Sequence, residues 1–427
     1  MTPLLTAIAS NIATSSPATL RQRADYTHKF NGKDGHKSSR HSWLRLTPAY
    51  SVKVVDEILA AFPGNPAHVL DPFCGTATTA LCTATKGHAA TTVEINPFLV
   101  WLAATKTATY SAVTIQTTRQ ACAEALALVK KRGFKPMAEP PIYNITRWWS
   151  DPARIFLCRL RPAIEQATAS DSPERSLLLV AFCRTLMTLS NAAFDHQSMS
   201  LRNADQAELD LPADLSGQFQ GDVSHILIGA MQAPEGQVRI IHGDARALGQ
   251  MNDQFDLVIT SPPYANRMSY IRELRPYMYW LDYLTNARDA GELDWQTIGG
   301  TWGIATSRLT DWQPDGRAFV PKWLGPTLNA IAHTDNANGK LLANYIAKYA
   351  EDMWHHFTSL STIMAPGGRV HYIVGNSKFY GTLLPTERLY ADMLAELGFT
   401  NIAITSIRKR NSKKELIEFS VSGAWEK

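Results

Sequence analysis

Cysteine is scarce in this sequence, and the five present (Cys74, Cys82, Cys122, Cys158, Cys183) never form a CxxC pair. An odd count without framework spacing excludes a disulfide scaffold and a cysteine-built zinc site, and it predicts a reducing compartment. His28, His36 and His41 lack zinc-ligand spacing as well, so the expectation is a solvated loop and no metal. Long apolar runs are missing too. Nothing approaches the roughly 20 residues of a membrane span. The opening stretch MTPLLTAIASNIATSSPATLRQR begins with no basic side chain and does not read as a signal peptide. A soluble, cytoplasmic protein is expected. Charge of one sign is also missing: 42 Lys and Arg face 38 Asp and Glu, a formal net charge of +4. That excludes a histone-like polycation and leaves a polyanionic partner open.

What is present is apolar residues at 45% against 19% charged, enough for a well-buried core. Strand-like runs with helical follow-ons recur along the chain. HVLDPFCGTATTALCTATKGH reads as strand, turn at Asp71 to Thr76, then helix. AATTVEINPFLVWLAATK reads as a strand ending near Glu94, a turn at Asn96 and Pro97, then another helix. QVRIIHGDARAL, FDLVITSPPY and GGRVHYIVGNS supply three more strands. TERLYADMLAELGF is an amphipathic helix, and TNIAITSIRKR with LIEFSVSGAW reads as a closing hairpin at the sheet edge. This alternation predicts an α/β fold: a doubly wound, mostly parallel, seven-stranded sheet with a C-terminal antiparallel hairpin. Two interruptions divide it. Residues 110–236 hold helix-like stretches and form a mainly helical insertion. Residues 286–339 are rich in Gly, Thr, Trp, Asn and Asp and show little periodicity. The sheet is then carried by residues 1–109, 237–285 and 340–427.

Three strand ends carry chemistry. Asp71 followed by Pro-Phe-Cys-Gly brings a tight turn to the carboxyl edge of the sheet, where doubly wound folds bind nucleotides, and Gly75 lets backbone approach a ligand. Glu94, about 20 residues on, suits both hydroxyls of a ribose, the competing reading being a solvated strand-end carboxylate. The turn has neither GxGxxG nor GK[ST], so an adenosine without a phosphate chain fits it better. Gly243-Asp244 offers a carboxylate at the same edge, either for an adenine amino group or as the cap of the next helix. At the end of DLVITSPPY two prolines must stop a central strand and hand over to a stiff turn. Ser261 Oγ and the Pro262 carbonyl are then two fixed acceptors. Acceptors drawing on both N–H bonds of an exocyclic base amino group would help pyramidalise the nitrogen and stabilise the charge that develops on it. Tyr264 supplies a face on which an extruded base can stack. The competing reading of the same residues is a plain proline-stiffened loop.

Together DPFCGTATT, VEINP, GDAR and TSPPY resemble the S-adenosylmethionine-dependent DNA amino-methyltransferases, which methylate cytosine N4 or adenine N6. The resemblance implies S-adenosylmethionine as cofactor and double-stranded DNA as partner, with any restriction endonuclease acting as a separate protein. It implies that Asp71, Phe73, Gly75 and Glu94 line the methionine and ribose part of the cofactor site and that Asp244 reaches the adenine. Thr47 and Pro48 look like the family's upstream cofactor motif. Ser261, Pro262, Pro263 and Tyr264 would be the catalytic turn. A serine before Pro-Pro-Tyr is typical of the cytosine-N4 enzymes, so that base is preferred over adenine N6. The family usually has Gly where this chain has Ala77, and the expectation is that Ala77 is already the first helical residue. Carbon-5 methylation needs a nucleophilic cysteine, normally after proline, and none of the five follows one.

The basic stretches YTHKFNGKDGHKSSRHSWLR and IRKRNSKKE could meet phosphates. Arg272 and Arg275, just past the catalytic turn, are the sharper candidates for nucleic-acid contact; pairing with Glu273 or Asp282 is the alternative. Target reading is expected of the insertions, the helical one first. Two other functions compete: an RNA guanine-N2 methyltransferase, for which little chain precedes Asp71, and a non-catalytic nucleic-acid-binding module, which an intact Ser-Pro-Pro-Tyr disfavours.

Overall fold

The computed structural model describes residues 13–14, 39–44, 46, 50–63, 68–193, 200–201, 212–334, 338–410 and 415–427. Its centre is a sheet whose strands, in chain order, are β1 (Ala13–Thr14), β2 (His68–Asp71), β3 (Ala89–Glu94), β4 (Val238–His242), β5 (Phe255–Thr260), β6 (Met364–Gly375), β7 (Thr400–Lys409) and β8 (Ile417–Ala424). The spatial order is β1-β7-β8-β6-β5-β2-β3-β4. The pairs β2·β3, β2·β5, β3·β4 and β5·β6 are parallel, whereas β8 runs antiparallel to both β6 and β7. The seven-stranded, mostly parallel sheet with a C-terminal antiparallel pair is therefore present. Two-residue β1 adds an eighth strand beyond the expected edge, parallel to β7.

The central strands are apolar on both faces because both faces are covered. In β5, Phe255, Leu257, Val258 and Ile259 are fully buried, as are Val69 and Leu70 in β2. Alternation sorts them between two layers. Val69, Leu257, Ile259 and Ile373 pack with Val54, Val55 and Leu59 of helix α1 (Val52–Ala61). Leu70, Val258, Val370 and Val374 pack with residues from the helices Gly339–Ser361 and Thr386–Leu397.

Besides the single turn Ile145–Trp148, the remaining α-helices among the described residues are α2 (Thr78–Thr85), α3 (Pro97–Thr107), α4 (Ala112–Lys130), α5 (Asp151–Ala167), α6 (Pro173–Thr188), α7 (Leu215–Ala230), α8 (Tyr270–Trp280), α9 (Ala287–Gln296), α10 (Ile304–Asp311), α11 (Leu324–Ala332), α12 (Gly339–Ser361) and α13 (Thr386–Leu397). In α12, Tyr345, Tyr349, Met353, Phe357 and Leu360 recur at helical spacing and face the sheet. Each such buried side chain contributes about 1.5–3 kcal/mol relative to exposure.

Helices α4 to α7 share one hydrophobic cluster with α3 and α8, in which Phe98, Trp149, Phe182 and Trp280 are fully buried. The helical interruption is thus packed into the same core as the strand-following helices. The second interruption folds into α9, α10 and α11, although its composition shows little periodicity; short helices with one or two buried anchors, such as Ala305 and Leu309 in α10, leave a weak pattern. Among the described residues no helix is long and apolar enough to cross a membrane.

After β2 the chain winds outward through β3 to β4, then returns to place β5 on the other side of β2. The connections diverge between β2 and β5. Doubly wound sheets bind ligands in the crevice at the carboxyl ends of such strands.

Candidate active site

The two corners singled out from the sequence meet at that point. Thr260, the last residue of β5, donates from Oγ1 to Asp71 Oδ1 at 2.6 Å, and the Phe73 amide donates to the same oxygen at 3.1 Å. Asp71 is 1% exposed, and its Oδ2 is buried with no hydrogen-bond partner among the described residues. Burial pushes its carboxyl up to about 6, against the hydrogen bonds from Thr260 and Phe73. A buried orphan carboxylate oxygen calls for a donor.

The turn after Asp71 is tied to β3. Gly75, at φ +51°, donates its amide to Glu94 Oε2 at 2.9 Å, and the Asn96 amide donates to Oε1 at 2.9 Å. Burial pushes Glu94 up to about 7, and these two amides pull against it. Each carboxylate oxygen keeps a lone pair for a further donor. A Cβ built on Gly75 would meet, within 4 Å and among the described residues, only the Phe73 carbonyl at 3.8 Å. Below, Lys106 is 2% exposed and donates from Nζ to the Thr76 carbonyl at 2.6 Å. Burial lowers its amine to about 8.

Ala77 corrects the sequence reading. It is not the first helical residue but the N-cap of α2, in the left-handed region at φ 61° and ψ 33°, fully buried and with no side-chain cap. The tight turn demands positive φ there, and the methyl group carries the strain that Gly would avoid.

Asp244 lies after β4, as expected, and caps the short helix Ala245–Gln250: its Oδ1 accepts from the Arg246 amide at 2.8 Å. Its Oδ2 also takes the Arg246 guanidinium at 2.6 Å. Burial raises the Asp244 carboxyl, but the hydrogen bonds and charge of Arg246 outweigh it and hold the group below its ordinary value. Arg246 continues to Asp352 at 2.7 Å and to the Gln296 carbonyl at 2.7 Å, joining this corner to α12 and the second interruption. Both open readings of Asp244 stay compatible with this geometry. Thr47 and Pro48 lie outside the described residues.

On the turn that follows β5, Ser261 Oγ donates to the Ile373 carbonyl at 3.0 Å, which leaves its lone pairs as acceptors. Pro262 is buried, and the Pro263 carbonyl accepts from the Tyr349 hydroxyl at 2.8 Å. The Tyr264 hydroxyl donates to Glu418 Oε1 at 2.9 Å, and the Arg410 guanidinium lies over its ring, 4.9 Å from the centroid. Glu418 is itself bidentate with Arg408 at 2.6 and 3.1 Å. Two arginines of the basic hairpin therefore buttress Tyr264.

Arg272 is exposed. Arg275 is held between the indoles of Trp148 and Trp302, at 5.5 and 5.4 Å, so its packing comes from the two interruptions. Asp282 instead pairs with Arg161 at 3.6 Å. In the N-terminal basic stretch, Arg40 points inward and donates to the carbonyls of Gly229, Lys106 and Ala230 at 2.9–3.0 Å. Sequence reading missed Thr260, Glu418, Arg246 and Lys106. Glu418 did leave a signal, the one charged residue in the strand IEFSVSGA; Lys106, near the end of an apolar helix, left almost none.

The sheet order, the antiparallel C-terminal pair and the two facing strand ends define an α/β methyltransferase-like fold. The chain is similar to the type II methyltransferase M.BsoBI of Geobacillus stearothermophilus, with 26% identity over 190 residues, 40% of this chain and 37% of that protein. The match thus spans little more than a third of the relative's length. No family model matches the chain.

Proposed function

We propose that this protein transfers a methyl group from S-adenosylmethionine to the exocyclic amino group of a base extruded from double-stranded DNA, with cytosine N4 preferred over adenine N6. The observation that carries the reading is the hydrogen bond from Thr260 to Asp71, which sets the cofactor corner and the catalytic turn side by side at the switch point of the sheet. The similarity to a type II methyltransferase supports it independently. The setting proposed is a restriction–modification or related system.

The residues present fit the cofactor. Asp71 Oδ2 is a buried acceptor in want of a donor, which the ammonium of a methionine moiety satisfies, and Glu94 keeps acceptor capacity for ribose hydroxyls. Phe73 packs beside them against His356, at 4.8 Å between ring centroids. When bound, the sulfonium supplies an already activated methyl group. The chain's own residues handle the amino group. Ser261 Oγ and the Pro262 carbonyl accept its two N–H bonds, hold its lone pair in one direction and stabilise the positive charge that grows on nitrogen. Tyr264, fixed at its hydroxyl, offers the stacking face. Of the two arginines past the turn, exposed Arg272 is proposed as the direct contact to the nucleic acid, and Arg275, held by two indoles, as the residue that braces the same face.

The test is expression in a bacterial host without DNA methylation, followed by digestion of its DNA to nucleosides. N4-methylcytosine is the expected product; N6-methyladenine would reverse the base preference, and no methylated nucleoside would overturn the reading. Ser261→Ala should slow transfer about a hundredfold with cofactor affinity nearly intact. Glu94→Ala should weaken cofactor binding in calorimetry.

A further inference from the structure

Tandem prolines create a difficulty that the fold has to solve. Pro262 and Pro263 have no amide hydrogen, and residues 261 to 269 belong to no helix or strand, so this stretch cannot hold itself in a backbone ladder. Yet the Pro262 carbonyl must point in one direction to act as an acceptor. Side-chain hydroxyls take over. Tyr349 donates to the Pro263 carbonyl at 2.8 Å, and the Arg267 amide donates to the Tyr345 hydroxyl at 3.2 Å. A longer contact of 3.5 Å links the Tyr264 amide to the Tyr270 hydroxyl. Arg267 sits at φ +62°, a conformation that persists only where neighbours enforce it.

Tyr349 is the best secured of these groups. It is 1% exposed, and its hydroxyl also contacts the Tyr390 hydroxyl at 2.5 Å. Because Tyr349 donates to Pro263, its remaining capacity toward Tyr390 is that of an acceptor, and the order runs Tyr390 to Tyr349 to Pro263. Gly299 of the second interruption closes the arrangement at φ +79°; a Cβ there would stand 3.6 Å from both the Tyr345 hydroxyl and the Tyr349 ring and 3.8 Å from Pro263. A polar chain buried among apolar side chains has few alternative partners, so it fixes one geometry.

We infer that Tyr349, backed by Tyr390, is a positioning pair that sets the direction of the Pro262 carbonyl through its bond to the next residue of the turn. The inference rests on the proposed amino-group transfer. A misplacement of about 1 Å at a reacting centre costs on the order of a hundredfold in rate. Tyr349→Phe should therefore lower kcat about ten- to a hundredfold, with KM for S-adenosylmethionine and the affinity for DNA unchanged. Tyr390→Phe, which leaves the bond to Pro263 in place, should lose about threefold. The double variant should be no slower than Tyr349→Phe, because both act through one contact.

The experiment measures initial rates of methyl incorporation into unmethylated genomic DNA for the wild type and the three variants, beside cofactor calorimetry and urea unfolding. Unchanged kcat in Tyr349→Phe, a loss confined to KM, or additive losses in the double variant would each overturn the inference while leaving the proposed function standing. A wild type that incorporates no methyl group would instead remove both. Should Tyr349→Phe fail to unfold cooperatively, unaltered kcat in Tyr390→Phe decides against the pair.

Discussion

Glu418 accepts a hydrogen bond from the Tyr264 hydroxyl while its carboxylate is paired with Arg408. The side chains of Arg408 and Glu418 are only 12% and 5% exposed, so the pair is largely desolvated. Removing one partner takes the compensating charge away from a largely desolvated pair, which costs about 3 kcal/mol or more. Glu418→Ala should lower unfolding free energy by about that amount in urea titrations. Tyr264→Phe keeps the ring and loses one hydrogen bond, so about 1 kcal/mol is expected. A smaller effect for Glu418→Ala than for Tyr264→Phe would show that Arg408 does not depend on this carboxylate.

Ala77 makes the opposite kind of prediction, a gain. A left-handed L-residue costs roughly 1–2 kcal/mol, and glycine avoids it while giving back part through its looser unfolded chain. Ala77→Gly should raise stability by about 0.5–1 kcal/mol, seen as a higher urea midpoint with an unchanged slope. A loss of stability would mean that the buried methyl group contributes more packing than strain.

Asp71 links the site to pH. Its carboxyl is raised from 3.8 to about 6 by burial, so between those values the folded protein binds more protons than the unfolded chain. The sign follows: this group's contribution to stability is most favourable below 3.8, declines as pH rises through the interval to about 6, and levels off above it. The decline is on the order of 3 kcal/mol. Asp71→Asn should flatten the difference in unfolding free energy between pH 4 and pH 7. In the wild type the affinity for S-adenosylmethionine should fall as pH drops below about 6, since an ammonium pairs with the ionised carboxylate. Affinity that is level across this range would separate Asp71 from the methionine moiety.

Much of the fold was legible because parallel strands buried on both faces write themselves as apolar runs. LVIT before Ser-Pro-Pro and HVL before Asp71 marked both strand ends that build the site. Their meeting was implied only by doubly wound topology; the bond between Thr260 and Asp71 is a tertiary fact that no local pattern encodes. Ala77 was misread because a helix boundary carries no marker when alanine stands at a position that glycine would suit. Arg408 and Arg410 belong to the run read as able to meet phosphates, since a basic run reads the same whether it faces water, a phosphate or a tyrosine ring. The second interruption hid three helices behind a composition that usually signals loops.

Arg272 and Arg275 stand one helical turn apart in α8 but in different surroundings, and this separates their roles. Arg275 lies between Trp148 and Trp302, and burial, reinforced by the charge of Arg272, pulls its guanidinium below the ordinary value. Cation–π contacts of this kind are worth about 0.5–2 kcal/mol each. Arg275→Ala should therefore destabilise the protein by about 1–3 kcal/mol and, by loosening both interruptions, weaken DNA binding at every salt concentration. Arg272 is exposed and free to meet a phosphate. Arg272→Ala should leave unfolding unchanged but reduce DNA affinity and lower the salt dependence of binding by about one charge. Fluorescence anisotropy across a salt series reads both. If the slope stays at the wild-type value in Arg272→Ala, this arginine lies off the DNA path, and the contact belongs to other parts of the surface around the turn.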